Sequence, residues 1–317
     1  MVERIRLFSQ HVFFIVFMYG GRFGIHLGSA LPCFSCPFVQ GCAGHCYLMA
    51  LQRTHVGFQT AFEVFFSSAF VHVLWPFALF LILFLPLSKL WCAWLCPFCL
   101  FQDWITLIRK RLHIREFSMS RQVRNRLKPV KYILLALLIL IPLAIANLGL
   151  HPDWGLPFCQ ICPARPILPL FTGNVSNFHI DMTNSVTIGF TATAMILTGV
   201  FLAGIFFKER FFCVFCPLLA LMHLFKKLSP FRFEKNVHAC TGCGNCEQMC
   251  PVDIADVHLE KGKNHMPGAV DVLTQDCLGC MNCVESCPVD NALVFKWFDF
   301  KIFSSSRQYM TRKWSSK

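Results

Sequence analysis

Four apolar runs punctuate the chain: Leu7–Leu27, Phe65–Leu87, Tyr132–Leu150 and Val186–Phe207. Each is long enough to cross a hydrocarbon core of about 30 Å, which takes about 20 helical residues. The first is the most interrupted, by Gly20, Gly21, Arg22, Gly24 and His26. The polar stretches between the runs are unequal in charge. Arg109, Lys110, Arg111, Arg115, Arg121, Arg124, Arg126, Lys128 and Lys131 lie between the second and third, and Lys208, Arg210, Lys226, Lys227, Arg232 and Lys235 follow the fourth. The loops 28–64 and 151–185 carry only Arg53 and Arg165. Because Lys and Arg collect on the cytoplasmic side, both termini are expected in the cytoplasm of a bacterial inner membrane crossed several times. The pattern predicts an α-helical membrane protein, a four-transmembrane-helix bundle over 1–228. A small α+β domain over 229–294 and a basic, aromatic tail over 295–317 follow.

Composition agrees. The 317 residues are 55% hydrophobic, with a mean hydropathy of +0.53. The net charge of +12 is explained by the cytoplasmic loops, so no nucleic-acid partner is expected. The first apolar run leads into cysteines rather than a small-residue cleavage site, so it reads as a span and not a leader. The chain has 19 cysteines. An odd number at Cys-x-x-Cys spacings argues against a simple disulfide framework and for metal. No Cys-x-x-Cys-His occurs, which leaves no attachment motif for c-type haem.

The strongest chemical signal is a pair of octets. "CTGCGNCEQMCP" holds Cys240, Cys243, Cys246 and Cys250, and "CLGCMNCVESCP" holds Cys277, Cys280, Cys283 and Cys287. In such a Cys-x2-Cys-x2-Cys-x3-Cys-Pro run the fourth cysteine serves the other run's cluster. One [4Fe-4S] cluster is therefore expected on Cys240, Cys243, Cys246 and Cys287, the other on Cys277, Cys280, Cys283 and Cys250. Structural zinc is the weaker alternative, because both octets are complete.

Four further Cys-Pro stretches, "CFSCP", "CAWLCP", "CQICP" and "CVFCP", follow the four spans and alternate between the two sides. The chain reads as two copies of span, outer pair, span, inner pair. Packed about an axis along the membrane normal, each copy would lend two thiolates to a shared cluster. This predicts an inner-face cluster on Cys92, Cys96, Cys213 and Cys216 and an outer-face cluster on Cys33, Cys36, Cys159 and Cys162. Buried hydrophobic thiols are the alternative for the inner set and disulfides for the outer. Cys42 and Cys46 would form a disulfide or a local site with Cys33 and Cys36. Cys99 reads as packing.

Other residues are candidates by type alone. Arg22 and Glu63 could compensate cluster charge or meet a quinone; Arg22 could equally snorkel past the end of its span. Glu63, His151 and Asp153 could carry protons, or be ordinary interfacial polar residues. His26 and His72 would ligate a b-type haem only if they faced each other.

The order of four spans, "CAWLCP", "CVFCP" and paired octets resembles the NapH/NosR/CcoG group of membrane polyferredoxins, most closely NapH-type quinol dehydrogenase subunits. The resemblance covers most of the chain beyond Phe65. It implies cluster ligands at the inner motifs and electron exchange between quinone and partner redox proteins. The Cys213–Cys216 spacing is one residue shorter than the family's, and the outer cysteines lie outside its pattern. The expectation is a [4Fe-4S] electron-transfer subunit of an oxidoreductase complex that carries electrons between its cytoplasmic ferredoxin-type domain, with a cytoplasmic donor, and the outer face, where a periplasmic cytochrome or iron-sulfur protein would be the partner. A quinone oxidoreductase subunit and a metal-handling or redox-sensing maturation protein are the alternatives.

Overall fold

The computed structural model describes residues 2–53, 69–117, 119–148, 156–254, 256–259, 269–271 and 277–307. Helices occupy the positions of all four apolar runs: α1 (Val2–Tyr19), α3 (Ala69–Leu87), α6 (Val130–Leu148) and α9 (Ser185–Phe207). Among the described residues, one helix, α9, is long and apolar enough to cross a membrane, and Leu74–Leu87 is a shorter apolar stretch. A capping box starts α9: Asn184 accepts from the Thr187 N–H, and the Thr187 hydroxyl accepts from the Asn184 N–H.

Helix α1 departs from the expected first span. It begins earlier, ends at Tyr19, and buries Val2, Arg6, Gln10 and Phe14 at intervals of four. That stripe faces protein, because Arg6 and Gln10 are hydrogen-bonded inside it. A 3-10 turn, Gly20–Phe23, follows, closed by Gly24 at φ 80°. Gly21 is needed there: a Cβ would stand 2.4 Å from the Cys42 carbonyl oxygen.

Between the long helices run short ones: α2 (Tyr47–Arg53), α4 (Pro97–Arg111), α5 (Arg121–Leu127), α7 (Pro157–Ile161), α8 (Ala164–Leu170), α10 (Phe211–Phe215) and α11 (Pro217–Leu224). Helix α4 packs on α1 and α9, α11 packs on α6, and α7 packs on α9. Aromatic rings fill the seams. Phe98, Phe201 and Phe212 meet at centroid separations of 4.7 to 5.3 Å.

The C-terminal domain is a four-stranded antiparallel sheet in the order β2-β1-β3-β4, formed by β1 (Phe231–Asn236), β2 (Ala269–Asp271), β3 (Leu293–Trp297) and β4 (Phe300–Ser304). The expected boundary at residue 294 is therefore too early. "FKWFDFKIF" is no tail: it completes β3 and forms β4, a hairpin in which buried Phe295 pairs with Phe303.

Candidate metal centres

The Cys-Pro junctions share one local design. Cys96, Cys162 and Cys216 are extended at φ −66°, −66° and −64°, each followed by proline opening a new turn. The residue before proline is excluded from the α region, so the helix must break at the cysteine. A residue in the left-handed region precedes each motif: Ser88, Leu156 and Arg210. The unequal spacings are reconciled by the backbone. Trp91–Leu95 is a π turn, closed by the Cys96 N–H to the Trp91 carbonyl at 2.9 Å, which absorbs the extra residue of Cys92-x3-Cys96. Cys213-x2-Cys216 rides on the ordinary turn α10.

Among the described residues, four cavities are lined by cysteines. The first is walled by Cys240, Cys243, Cys246 and Cys287, with Lys235 and His258. The second is walled by Cys250, Cys277, Cys280 and Cys283, and Cys246 also touches it. Gly242 and Gly244 hold the first octet at φ 70° and 76°. The Gly279 and Ile254 N–H groups donate to the sulfurs of Cys277 and Cys250, at 3.5 and 3.3 Å. Burial pushes the Cys250 thiol up to about 12 and that of Cys277 to about 11, so a metal binding there would have to displace their protons.

The third cavity is lined by Cys92, Cys96, Cys213 and Cys216, and also by Cys33 and Cys99. Cys99, expected to be packing, has its sulfur 3.6 Å from that of Cys213. The fourth is lined by Cys36, Cys46, Cys159 and Cys162. Cys33 thus parts from the outer set, and Cys46 stands with it. The reason is a crossing of the loop: the Leu31 N–H donates to the His45 carbonyl, and the Tyr47 N–H to the Leu31 carbonyl, at 3.0 and 3.1 Å. These bonds lay 43–47 beside 31–36 and turn Cys33 and Cys36 to different cavities. A sequence signal for Cys46 existed: "CAGHC" at 42–46 repeats the Cys-Ala-x-x-Cys of 92–96. Cys42 points elsewhere, 3.5 Å from the His45 Nδ1.

The cavities adjoin. The first and second share Cys246 and Val257, the second and third share Leu278, and the third and fourth share Phe34 and Phe212. The cavities that hold the expected outer and inner cysteines are therefore neighbours. The C-terminal domain is held against the third cavity, with the Trp94 indole N–H on the Gly279 carbonyl at 3.1 Å and its ring stacked on Phe303. A Cβ on Gly279 would crowd Leu90 at 3.2 Å.

Among the described residues no disulfide forms. Among the described residues no three His, Cys, Asp or Glu side chains converge on one point as a single ion requires.

Buried charges surround these walls. Arg210, fully buried, donates to Asp103 through Nε at 3.0 Å and Nη2 at 2.7 Å. Gln10 bridges Asp103 and the Ala93 carbonyl at 3.0 and 2.9 Å. Burial opposes ionisation of Asp103, but the Arg210 guanidinium overrides it and holds the carboxyl below its usual range. Arg6 donates to the Cys280 carbonyl and the Asn282 side chain, at 3.3 and 2.7 Å. Lys89 is pushed down to about 8, chiefly by burial. Arg22 lies past the end of α1, exposed, over the Tyr19 ring, and lines none of the cavities. His26 is exposed. Glu63, His151 and Asp153 lie outside the described residues.

Comparison with known proteins agrees with this geometry. The 4Fe-4S dicluster domain family matches residues 239–291, and a 4Fe-4S binding domain family matches twice, over 68–115 and 190–236. The chain is 31% identical to protein YccM of Escherichia coli over 54% of this chain and 44% of that protein. It is 26% identical to protein MJ0750 of Methanocaldococcus jannaschii, over 55% of this chain and 63% of that one. It is 26% identical to the regulatory protein NosR of Pseudomonas aeruginosa, over 64% of this chain and 26% of NosR. The matches thus span less than two thirds of each relative's length. No solved structure matches. The doubled family match contains the two inner motifs, whereas Cys33, Cys36, Cys42, Cys46, Cys159 and Cys162 fall outside it.

Proposed function

We propose that this protein is a membrane electron carrier whose four cysteine-lined cavities each hold a [4Fe-4S] cluster. The observation that carries the reading is the unbroken chain of shared walls from the C-terminal domain to the fourth cavity. Bound clusters would supply one-electron transfer at potentials set by hydrogen bonds and solvent. The ligands are Cys240, Cys243, Cys246 and Cys287; Cys250, Cys277, Cys280 and Cys283; Cys92, Cys96, Cys213 and Cys216; and Cys36, Cys46, Cys159 and Cys162. Buried aromatic walls exclude water between them, and Arg6, Lys89 and Arg210 offset the charge of thiolates. The helices α1, α3, α6 and α9 form the bundle in a bacterial inner membrane. Both termini lie in the cytoplasm, because the basic loops pack with the C-terminal domain: Lys208 bridges Glu116 and Asp253.

The fourth cavity favours a lipid-soluble partner. It measures about 350 Å³ against 20 to 30 Å³ for the others, and its walls are almost wholly apolar. Leu197 and Val200 on its rim are exposed on the outer surface of α9. Space of that size takes an organic ring system beside a cluster. A quinone there, as in NapH-type subunits, would exchange electrons with the C-terminal domain. Direct conduction to a periplasmic cytochrome or iron-sulfur protein needs that partner to reach the same cavity, since the third and fourth cavities touch.

Iron and sulfide analysis of the anaerobically loaded chain tests this reading. About sixteen irons per chain are expected, four for each cluster; eight would confine the clusters to the C-terminal domain. A naphthoquinone should reoxidise the reduced protein, and Val200→Trp at the cavity rim should slow it.

A further inference from the structure

Two buried glutamines repeat one arrangement in the third and fourth cavities. Gln52 stands six residues after Cys46, and Gln102 six after Cys96, within the segments "CAGHCYLMALQ" and "CAWLCPFCLFQ". Both are 0% exposed. The Gln52 Oε1 accepts from the Phe158 N–H at 3.0 Å, and its Nε2 donates to the Leu48 carbonyl at 3.1 Å and the Cys159 sulfur at 3.2 Å. The Gln102 Oε1 accepts from the Phe212 N–H at 3.2 Å, and its Nε2 donates to the Phe98 carbonyl at 3.4 Å and the Cys213 sulfur at 3.8 Å. The receiving segments also match, as "FCQICP" and "FCVFCP". The amide orientation is dictated in both places. Only an oxygen can face the phenylalanine N–H, so the amide NH₂ must face the carbonyl and the sulfur.

We propose that the fourth cavity is a second copy of the third, and that Gln52 and Gln102 are paired tuning residues, each donating to one ligand sulfur of its own cluster. The inference rests on the cluster reading above. An N–H···S bond stabilises the more negative, reduced state, so each glutamine raises the potential of the cluster it faces. Neither carries formal charge, and each acts on one cavity.

The test is a redox titration followed by electron paramagnetic resonance on the full, loaded chain, with iron counted in each sample. Gln102→Met should shift the signal lost in Cys213→Ser, and Gln52→Met the signal lost in Cys159→Ser. Each shift is downward, about tenfold in the reduced-to-oxidised ratio at the unaltered midpoint, or about 59 mV for one electron. Gln→Glu keeps the acceptor for the phenylalanine N–H, loses the donor and adds charge, so its shift should exceed that of Met. Unchanged potentials with sixteen irons retained, or equal shifts of every signal, would overturn the inference and leave the cluster reading intact. Loss of the local cluster in both Met and Glu variants would make the glutamines structural and overturn it too. Eight irons in the unaltered chain would remove both.

Discussion

Replacing Arg210 by methionine is the sharpest probe of the buried polar core. Arg210 makes two charge-assisted bonds to Asp103, at 3.0 and 2.7 Å, and the two side chains are 0% and 7% exposed. Removing the guanidinium leaves the buried carboxylate, among the described residues, with Gln10 as its side-chain donor and the more distant charge of Arg6. An uncompensated buried charge costs about 3–5 kcal/mol. The variant Asp103→Leu with Arg210→Met removes both charges and should recover most of that loss, because apolar replacements of a buried pair are commonly near neutral. The measurement is denaturant unfolding of the purified chain in detergent, followed by far-ultraviolet circular dichroism. Additive losses in the double-mutant cycle, or a single-variant cost under about 1 kcal/mol, would refute the reasoning. The pH dependence has a definite sign. The carboxyl of Asp103 is held below its unfolded value of about 3.9, so its contribution is present above that pH and fades as pH falls through the lower folded value. Asp103→Asn should flatten that part of the profile.

Three further outcomes are expected. Cys46→Ser should cost about four irons per chain, whereas Cys33→Ser, at a cavity holding five other cysteines, should keep all sixteen; the reverse would restore the arrangement read from spacing. Gly204→Ala should destabilise by about 1–3 kcal/mol, because its Cβ would run into the Phe211 ring, and a rise in the melting temperature would contradict that packing. Asp253→Asn removes a 2.7 Å ion pair to the nearly buried Lys208 and weakens the bond from the Met119 N–H, so hydrogen exchange over 112–120 should speed up while the iron content stays constant.

The chain by itself determined the chemistry that depends on local spacing. Two complete four-cysteine runs name eight candidate ligands, because three cysteines spaced three apart can grip one cluster while the fourth serves the other. The Cys-Pro pairs declared breaks at helix ends, because proline removes a donor and bars its predecessor from the α region. The basic loops announced which segments belong together. Tertiary structure alone decided which of the remaining eleven cysteines share a cavity. Cys33 and Cys36 are three residues apart yet face different cavities, since backbone bonds to His45 and Tyr47 set how the loop turns. Cys46 and Cys159 are brought together across more than a hundred residues by helix packing, which spacing along a chain does not encode. The adjacency of the third and fourth cavities has the same origin. Counting spans predicts which side a loop leaves from, whereas the contact of Phe34 with Phe212 seats that loop against the third and fourth cavities.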